Sequence, residues 1–508
     1  MWRIVAGLAA FLLLGTGAAR AEWRRAESPN FILHGDLSES ALRERILLLE
    51  DFDRLLRTLT PGQEEPALNR LHVYIFPNRA PLGVVRPGIP AGIAGFYMAS
   101  DDGILAMIDG TNLEAGNEIL FHEYAHHFMR QNYALPYPAW YVEGFAEYFS
   151  TARFTTRKID IGQFSRGRVA SIVGTAQWLP MERMLSGGPM NLGREQMSAY
   201  YAQAWLMTHY FYSTPERQAV LTRLIAAQRG ASPVEALRSA TGLTPEAFTR
   251  ELRTYIGRGS IAYRQMERGT PATPATVTIT MLPRSARELM AYEAALRVGV
   301  GEEQAPAYLQ QVRAIAARFP DDPLAMRVQA HIELRHGDAA VADRLLDRLL
   351  VTSANDAELL YLKGMRWLLA EESDNPPENA GRTARQWFGR AQRADPNHWQ
   401  TLYRYAQSLR GEPAFMSENT RNAMLLANQL APQVHSITMN AASLLISRRE
   451  YAQAIVLLTP LTGDPHNTGL ASAARQMVER AQNAMRAAAP AGSSEPSRPP
   501  AAGTPQSE

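Results

Sequence analysis

The residues of this 508-residue chain best suited to chemistry are His122, Glu123 and His126, in the run His122-Glu123-Tyr124-Ala125-His126. Positions four apart on a helix share a face, so His122 and His126 can offer two imidazole nitrogens to one ion. Glu123 reaches the same spot from the side without being a ligand. Neutral imidazole and carboxylate suit Zn2+, which takes tetrahedral ligands and can leave one corner to water. The chain has no cysteine, which excludes thiolate catalysis, Cys-ligated zinc and disulfides. Its stability must come from buried cores, and any metal site from His and carboxylate.

Downstream runs Trp140-Tyr141-Val142-Glu143-Gly144-Phe145-Ala146-Glu147-Tyr148. With the first motif, Glu143-Gly144-Phe145-Ala146 resembles the gluzincin (peptidase MA-like) zinc metallopeptidases, which carry a HExxH helix and take a third ligand from an ExxA helix. The resemblance covers residues 28–257 in layout, with its specific motifs between 117 and 212. It implies a zincin-like domain binding one zinc ion through His122, His126 and Glu143, and hydrolysis of peptide bonds. Sixteen residues separate His126 from Glu143, slightly fewer than in the membrane-alanyl aminopeptidase relatives. Pro136 and Pro138 fit a tight connection between two antiparallel helices.

Roles follow from that resemblance. Glu123 is the general base for the attacking water and returns the proton to the leaving amine. Glu147, one turn beyond Glu143, is placed to accept the free N–H of a ligand imidazole, the alternative being a solvated helix residue. A tetrahedral oxyanion needs a donor opposite Glu123. Gluzincins place a Tyr there, three positions before a small residue, and Tyr201, followed by Ala204, fits. Tyr200 competes, His209 more distantly, and aromatic residues on a helix also serve simply as core. His127 points about a third of a turn from His126 and is read as structural. Residues 104–109 (Leu105-Ala106-Met107-Ile108-Asp109 within them) stand where relatives pair an edge strand with substrate backbone. They lack the G-x-M-E-N motif of aminopeptidases, with Asp109 as a conceivable substitute, so endo- and exopeptidase action both stay open.

The elements that must position these residues are read from periodicity and turn chemistry. Strands are expected at 28–34 and 71–76, a helix at 39–59, and a hairpin of 95–99 with 104–109 around Asp101-Asp102-Gly103. Helices are expected at 114–132 and 140–151, with more to about residue 257. Strands first and helices after give an α+β domain over 22–264. Residues 265–283 read as a proline-containing linker, with a short strand at 277–281. From 284 to 486 the chain is helical and repeats itself. Pro320, Pro396, Pro432 and Pro465, with Ala354 in one slot, fall near multiples of a 34-residue period. Small residues recur at Ala330, Gly364, Ala406 and Ala442, and again at Ala342, Ala384 and Ala454. This is similar to tetratricopeptide repeats, whose stacked helix pairs present a concave face to a protein partner. Ser373–Gly381 is an insertion, and Thr420 stands where Ala is expected. A generic helical bundle is the alternative.

Hydrophobic residues make up 46% and charged residues 20%, with a formal charge of +2 and no basic block, so nucleic acid is not an expected partner. Residues 1–21 read as a secretory signal, with Arg3, an apolar run from Ile4 to Leu14 and Ala19-Arg20-Ala21. That run falls short of the roughly 20 apolar residues that span a bilayer. Export is expected, to the periplasm rather than the medium, with no transmembrane segment after cleavage. Residues 487–508, rich in Pro, Ala, Gly and Ser, read as disordered. The enzymatic reading competes with a catalytically silent zinc-domain and repeat scaffold of the cell envelope. Retention of Glu123, which is no ligand, favours the enzyme.

Overall fold

The computed structural model describes residues 22–60, 69–133, 136–163, 172, 178–190, 192–228, 230–257, 263–269, 274–464 and 467–488. The signal segment 1–21, Pro465 and the tail beyond Ala488 lie outside the described residues. Expected and observed boundaries agree closely around the motifs. The N-terminal part is α+β and the remainder is mostly helical.

Six strands form the principal sheet: β1 (Arg24–Glu27), β2 (Phe31–Gly35), β3 (Leu71–Phe76), β4 (Gly95–Ala99), β5 (Ile104–Asp109) and β9 (Thr278–Met281), in the order β4-β5-β3-β2-β1-β9. The inner strands β2, β3 and β5 run parallel, and β4, β1 and β9 join antiparallel. Parallel strands are covered on both faces, which is why Phe-Ile-Leu-His-Gly of β2 is buried throughout. Leu33, Val73 and Ala106 point to one face. That face packs against α1 (Glu39–Leu59) and α3 (Leu113–Asn132). Tyr74, Phe76, Leu105 and Met107 face the opposite side, where α2 (Ala80–Val85) and α10 (Ala286–Val298) cover them.

Two expectations change here. Strand 104–109 is not an edge: its hairpin partner β4 lies outside it, so β4 is the free edge beside the motif helix. The segment expected as a linker supplies strands to both sheets. Its β9, close to the expected 277–281, pairs with β1, and β8 (Arg264–Glu267) pairs with β7 (Lys158–Ile161), itself paired with β6 (Arg153–Phe154).

After α4 (Ala139–Ser150) come α5 (Met181–Ser186), α6 (Arg194–Tyr212), α7 (Pro215–Ala227), α8 (Pro233–Thr241) and α9 (Pro245–Gly257). The C-terminal array continues from α10 with α11 (Ala305–Ala316), α12 (Pro323–His336), α13 (Ala339–Thr352), α14 (Ala357–Glu371) and α15 (Ala380–Ala394). It ends with α16 (Trp399–Gln407), α17 (Glu418–Leu430), α18 (His435–Ser447), α19 (Tyr451–Leu458) and α20 (Thr468–Ala488). The recurrent small residues Ala330, Ala342, Ala384, Ala406, Ala442 and Ala454 are fully buried, as expected where helices approach closely. Among the described residues, no helix is long and apolar enough to cross a membrane.

The array touches the N-terminal part at several points along its length. The β4–β5 turn is held by Asp102, which pairs with Arg404 at 3.2 Å and also with Arg335. Farther along, the connection between α17 and α18 reaches α3 itself.

Candidate metal centre and active site

Helix α3 starts from Asn112, whose side chain accepts the Ala115 N–H. Its rear face is locked against α1: Phe52 stacks on Phe121 with ring centroids 4.1 Å apart, and the Tyr124 hydroxyl donates to buried Asp53 at 2.7 Å. Asp53 in turn holds Arg57 at 2.7 Å. With one face fixed this way, helical geometry turns His122 and His126 together towards α4. Helix α4 begins after Pro138 and carries Glu143, whose side chain is fully buried.

Three donor atoms converge. His122 Nε2 and His126 Nε2 are 3.2 Å apart, and Glu143 Oε2 is 3.4 Å from the second and 3.8 Å from the first. Ligands about 2 Å from a tetrahedral ion lie about 3.3 Å from one another, so these three atoms fit a single metal ion. They form a group able to hold one among the described residues. Burial lowers the pKa of His122, reinforced by His126 and partly opposed by Glu147, Glu123 and Glu143, so the imidazole keeps a lone pair for a ligand bond. Glu147 Oε1 lies 3.4 Å from His122 Nδ1. A proton on Nδ1 donated to that carboxylate leaves Nε2 facing the other two donors.

Helices α4 and α6 meet closely at Gly144. A Cβ there would come within 3.0 Å of Thr208 Oγ1 and of the Ala204 carbonyl oxygen. This approach brings Tyr201 beside the triad, its ring centroid 6.3 Å from that of His122. Tyr200 is fully buried and feels the charge of Glu143, but its hydroxyl is committed to the Gly187 carbonyl, to which it donates at 2.8 Å. His209 is also occupied, 2.8 Å from the Tyr255 hydroxyl and packed against Trp205 and Tyr148. Of the three sequence candidates, Tyr201 is the one placed at the triad.

Glu123 is partly exposed and acts electrostatically on both His122 and Tyr97 of the edge strand β4. Along the same helix lie His127, which the sequence marked as structural, and contacts that sequence reasoning passed over. The Tyr97 hydroxyl is 3.1 Å from His127 Nδ1. Burial, reinforced by Arg130, lowers the pKa of His127 to about 3, so its ring is a neutral packing element. Gln433, in the turn between α17 and α18, donates to the Gln131 side chain at 2.9 Å and the His127 carbonyl at 3.4 Å. Arg130 pairs with Asp464 at 3.1 Å. Arg130 follows His126 by one helical turn, a spacing that could have marked it, whereas nothing in the sequence points from α3 to Gln433.

Neither the family models nor the curated proteins include a match to this chain.

Proposed function

We propose that the chain is an exported zinc metallopeptidase of gluzincin type, with its C-terminal tetratricopeptide-like helices engaging protein substrate or partner. The observation that carries this reading is the convergence of two imidazoles and one buried carboxylate from α3 and α4, with a further acid, Glu123, beside them and outside the ligand set. A scaffold needs the three ligands but has no use for that fourth group.

His122, His126 and Glu143 would hold the ion, and Glu147 fixes the tautomer of His122. A zinc ion bound there supplies Lewis acidity, lowering the pKa of water and polarising a carbonyl. Glu123 takes the proton of the attacking water and delivers it to the departing amine. Tyr201, on the neighbouring helix, is placed to donate its phenolic proton to the developing oxyanion. The free edge of β4, carrying Tyr97, offers backbone groups to an extended peptide.

The test is metal analysis of the purified protein together with cleavage of a peptide library by wild type and Glu123→Gln. The variant is expected to keep one zinc per chain and to lose about 10²–10⁴-fold in turnover. Equal behaviour of the two proteins would hand the case to the scaffold reading.

A further inference from the structure

Beside the metal centre lies a cavity of about 320 Å³ that belongs half to the motif helices and half to the C-terminal array. On one side His126 and Met129 of α3 line it with Tyr133 at the helix C-cap, and Val142 stands next to Glu143. On the other side Val456 and Leu457 of α19 line it, with Leu461 just beyond. His126, a donor of the triad, is itself a wall of the cavity, so the two adjoin at that ring.

Its surface is mostly apolar, with the amides of Gln131, Asn132, Asn428 and Gln429 also on the lining. Among the described lining residues the charged groups are Arg130 and Asp464, and they neutralise each other at 3.1 Å, with His435 3.3 Å from the same carboxylate. That pairing removes any net charge that would select an ionic side chain. Val456 is 61% exposed, an apolar side chain left uncovered at this wall while most of its kind in the molecule are buried. Met129, Tyr133 and Tyr137 also border a second, largely aromatic cavity of about 670 Å³.

We propose that this cavity receives the substrate side chain next to the scissile bond, that it selects bulky apolar residues there, and that Val456 and Leu457 of the helical array set the selection. The array is then a wall of the site as well as a surface for partners. This inference rests on the metallopeptidase reading and adds to it a substrate class and the residues that define it.

The experiment is cleavage profiling of a peptide library by the full chain, as wild type, Val456→Trp and Val456→Lys. Exposure of Val456 lets both variants fold, which their melting temperatures and zinc content will verify. Wild type should prefer Leu, Met or Phe at one position flanking the cut. Val456→Trp should lower kcat/KM for those peptides at least ten-fold relative to peptides with Ala there, and Val456→Lys should raise the relative rate for Glu. If cleavage depends on Glu123 but all three proteins share one preference, the pocket assignment is wrong and the peptidase reading stands. If no peptide is cleaved, the peptidase reading is wrong, and the pocket is read on zinc-loaded protein with acetohydroxamate and 4-phenylbutanohydroxamate. Tighter binding of the longer compound, lost in Val456→Trp, supports the pocket; equal affinities in wild type overturn it.

Discussion

At the scale of single residues, the site depends on which nitrogen of each histidine carries its proton. His122 has two ring atoms with different neighbours: Nε2 faces His126 and Glu143, and Nδ1 faces Glu147 at 3.4 Å. Glu147 is 4% exposed and shares a helix face with Glu143, so water competes only weakly with its carboxylate for that proton. Removing it leaves the ring free to rotate or to place its proton on Nε2, where it would block a ligand bond. Glu147→Ala should therefore weaken zinc binding about 10–100-fold, measured by competition with a chromogenic chelator. Glu147→Gln, whose amide oxygen still accepts, should recover part of the loss. An unchanged zinc affinity in both variants would show that His122 is oriented by other means.

At the scale of elements, much of the centre was legible because its spacing is strongly periodic. His122 and His126 four apart on α3, and Glu143 followed by Glu147 on α4, identify faces whatever the tertiary context. The choice between Tyr200 and Tyr201 was not legible. Helix α6 is buried on nearly every side, so periodicity carries no phase, and the two are separated by the Tyr200 bond to Gly187 and the packing of Tyr201 on His122. The identity of the edge strand was hidden too, since a hairpin signal does not say which arm lies outermost. Gly144 was visible as part of a motif, but its purpose appears only where α4 meets α6. Gly144→Ala should force these helices apart and cost about 1–3 kcal/mol in urea-unfolding free energy. The same shift should move Tyr201 away from His122, lowering kcat more than it raises KM. A variant as stable and as active as wild type would mean that the contact relaxes without consequence.

At the scale of the whole molecule, contacts that tie the C-terminal array to the N-terminal part join residues from 219 to 335 positions apart, which no local pattern reveals. One of these junctions is electrically unusual. His34 of β2 lies under α10, stacked between Tyr74 and His72, and neither of its ring nitrogens has a hydrogen-bond partner among the described residues. Burial lowers its pKa to about 3; Glu293 opposes the shift, while Arg25, Arg297 and Arg327 add to it. Burial alone would raise the pKa of Glu293, but Arg297, His34 and Arg327 outweigh it, and with the Tyr74 hydroxyl donating at 2.5 Å the value falls to about 2. The signs and windows differ. A histidine depressed from 6.5 to about 3 binds its proton first in the unfolded chain, so its contribution is intact above pH 6.5 and drains away as pH falls towards 3. The Glu293 contribution begins to drain only below 4.5. Between pH 6.5 and 4.5 the loss therefore belongs to buried histidines: His34 and His72 at this junction, His331 on α12 nearby, and His122 and His127 on α3. Each approaches a slope of about 1.4 kcal/mol per pH unit. His34→Phe keeps the stack, gives up no hydrogen bond and removes one titrating group, so urea-unfolding free energies should decline less steeply from pH 6.5 to 4.5 than those of wild type. Both proteins are to be measured in EDTA, which keeps proton release by the metal ligands out of the comparison. Parallel declines would mean that His34 gains its proton without unseating α10 from the sheet.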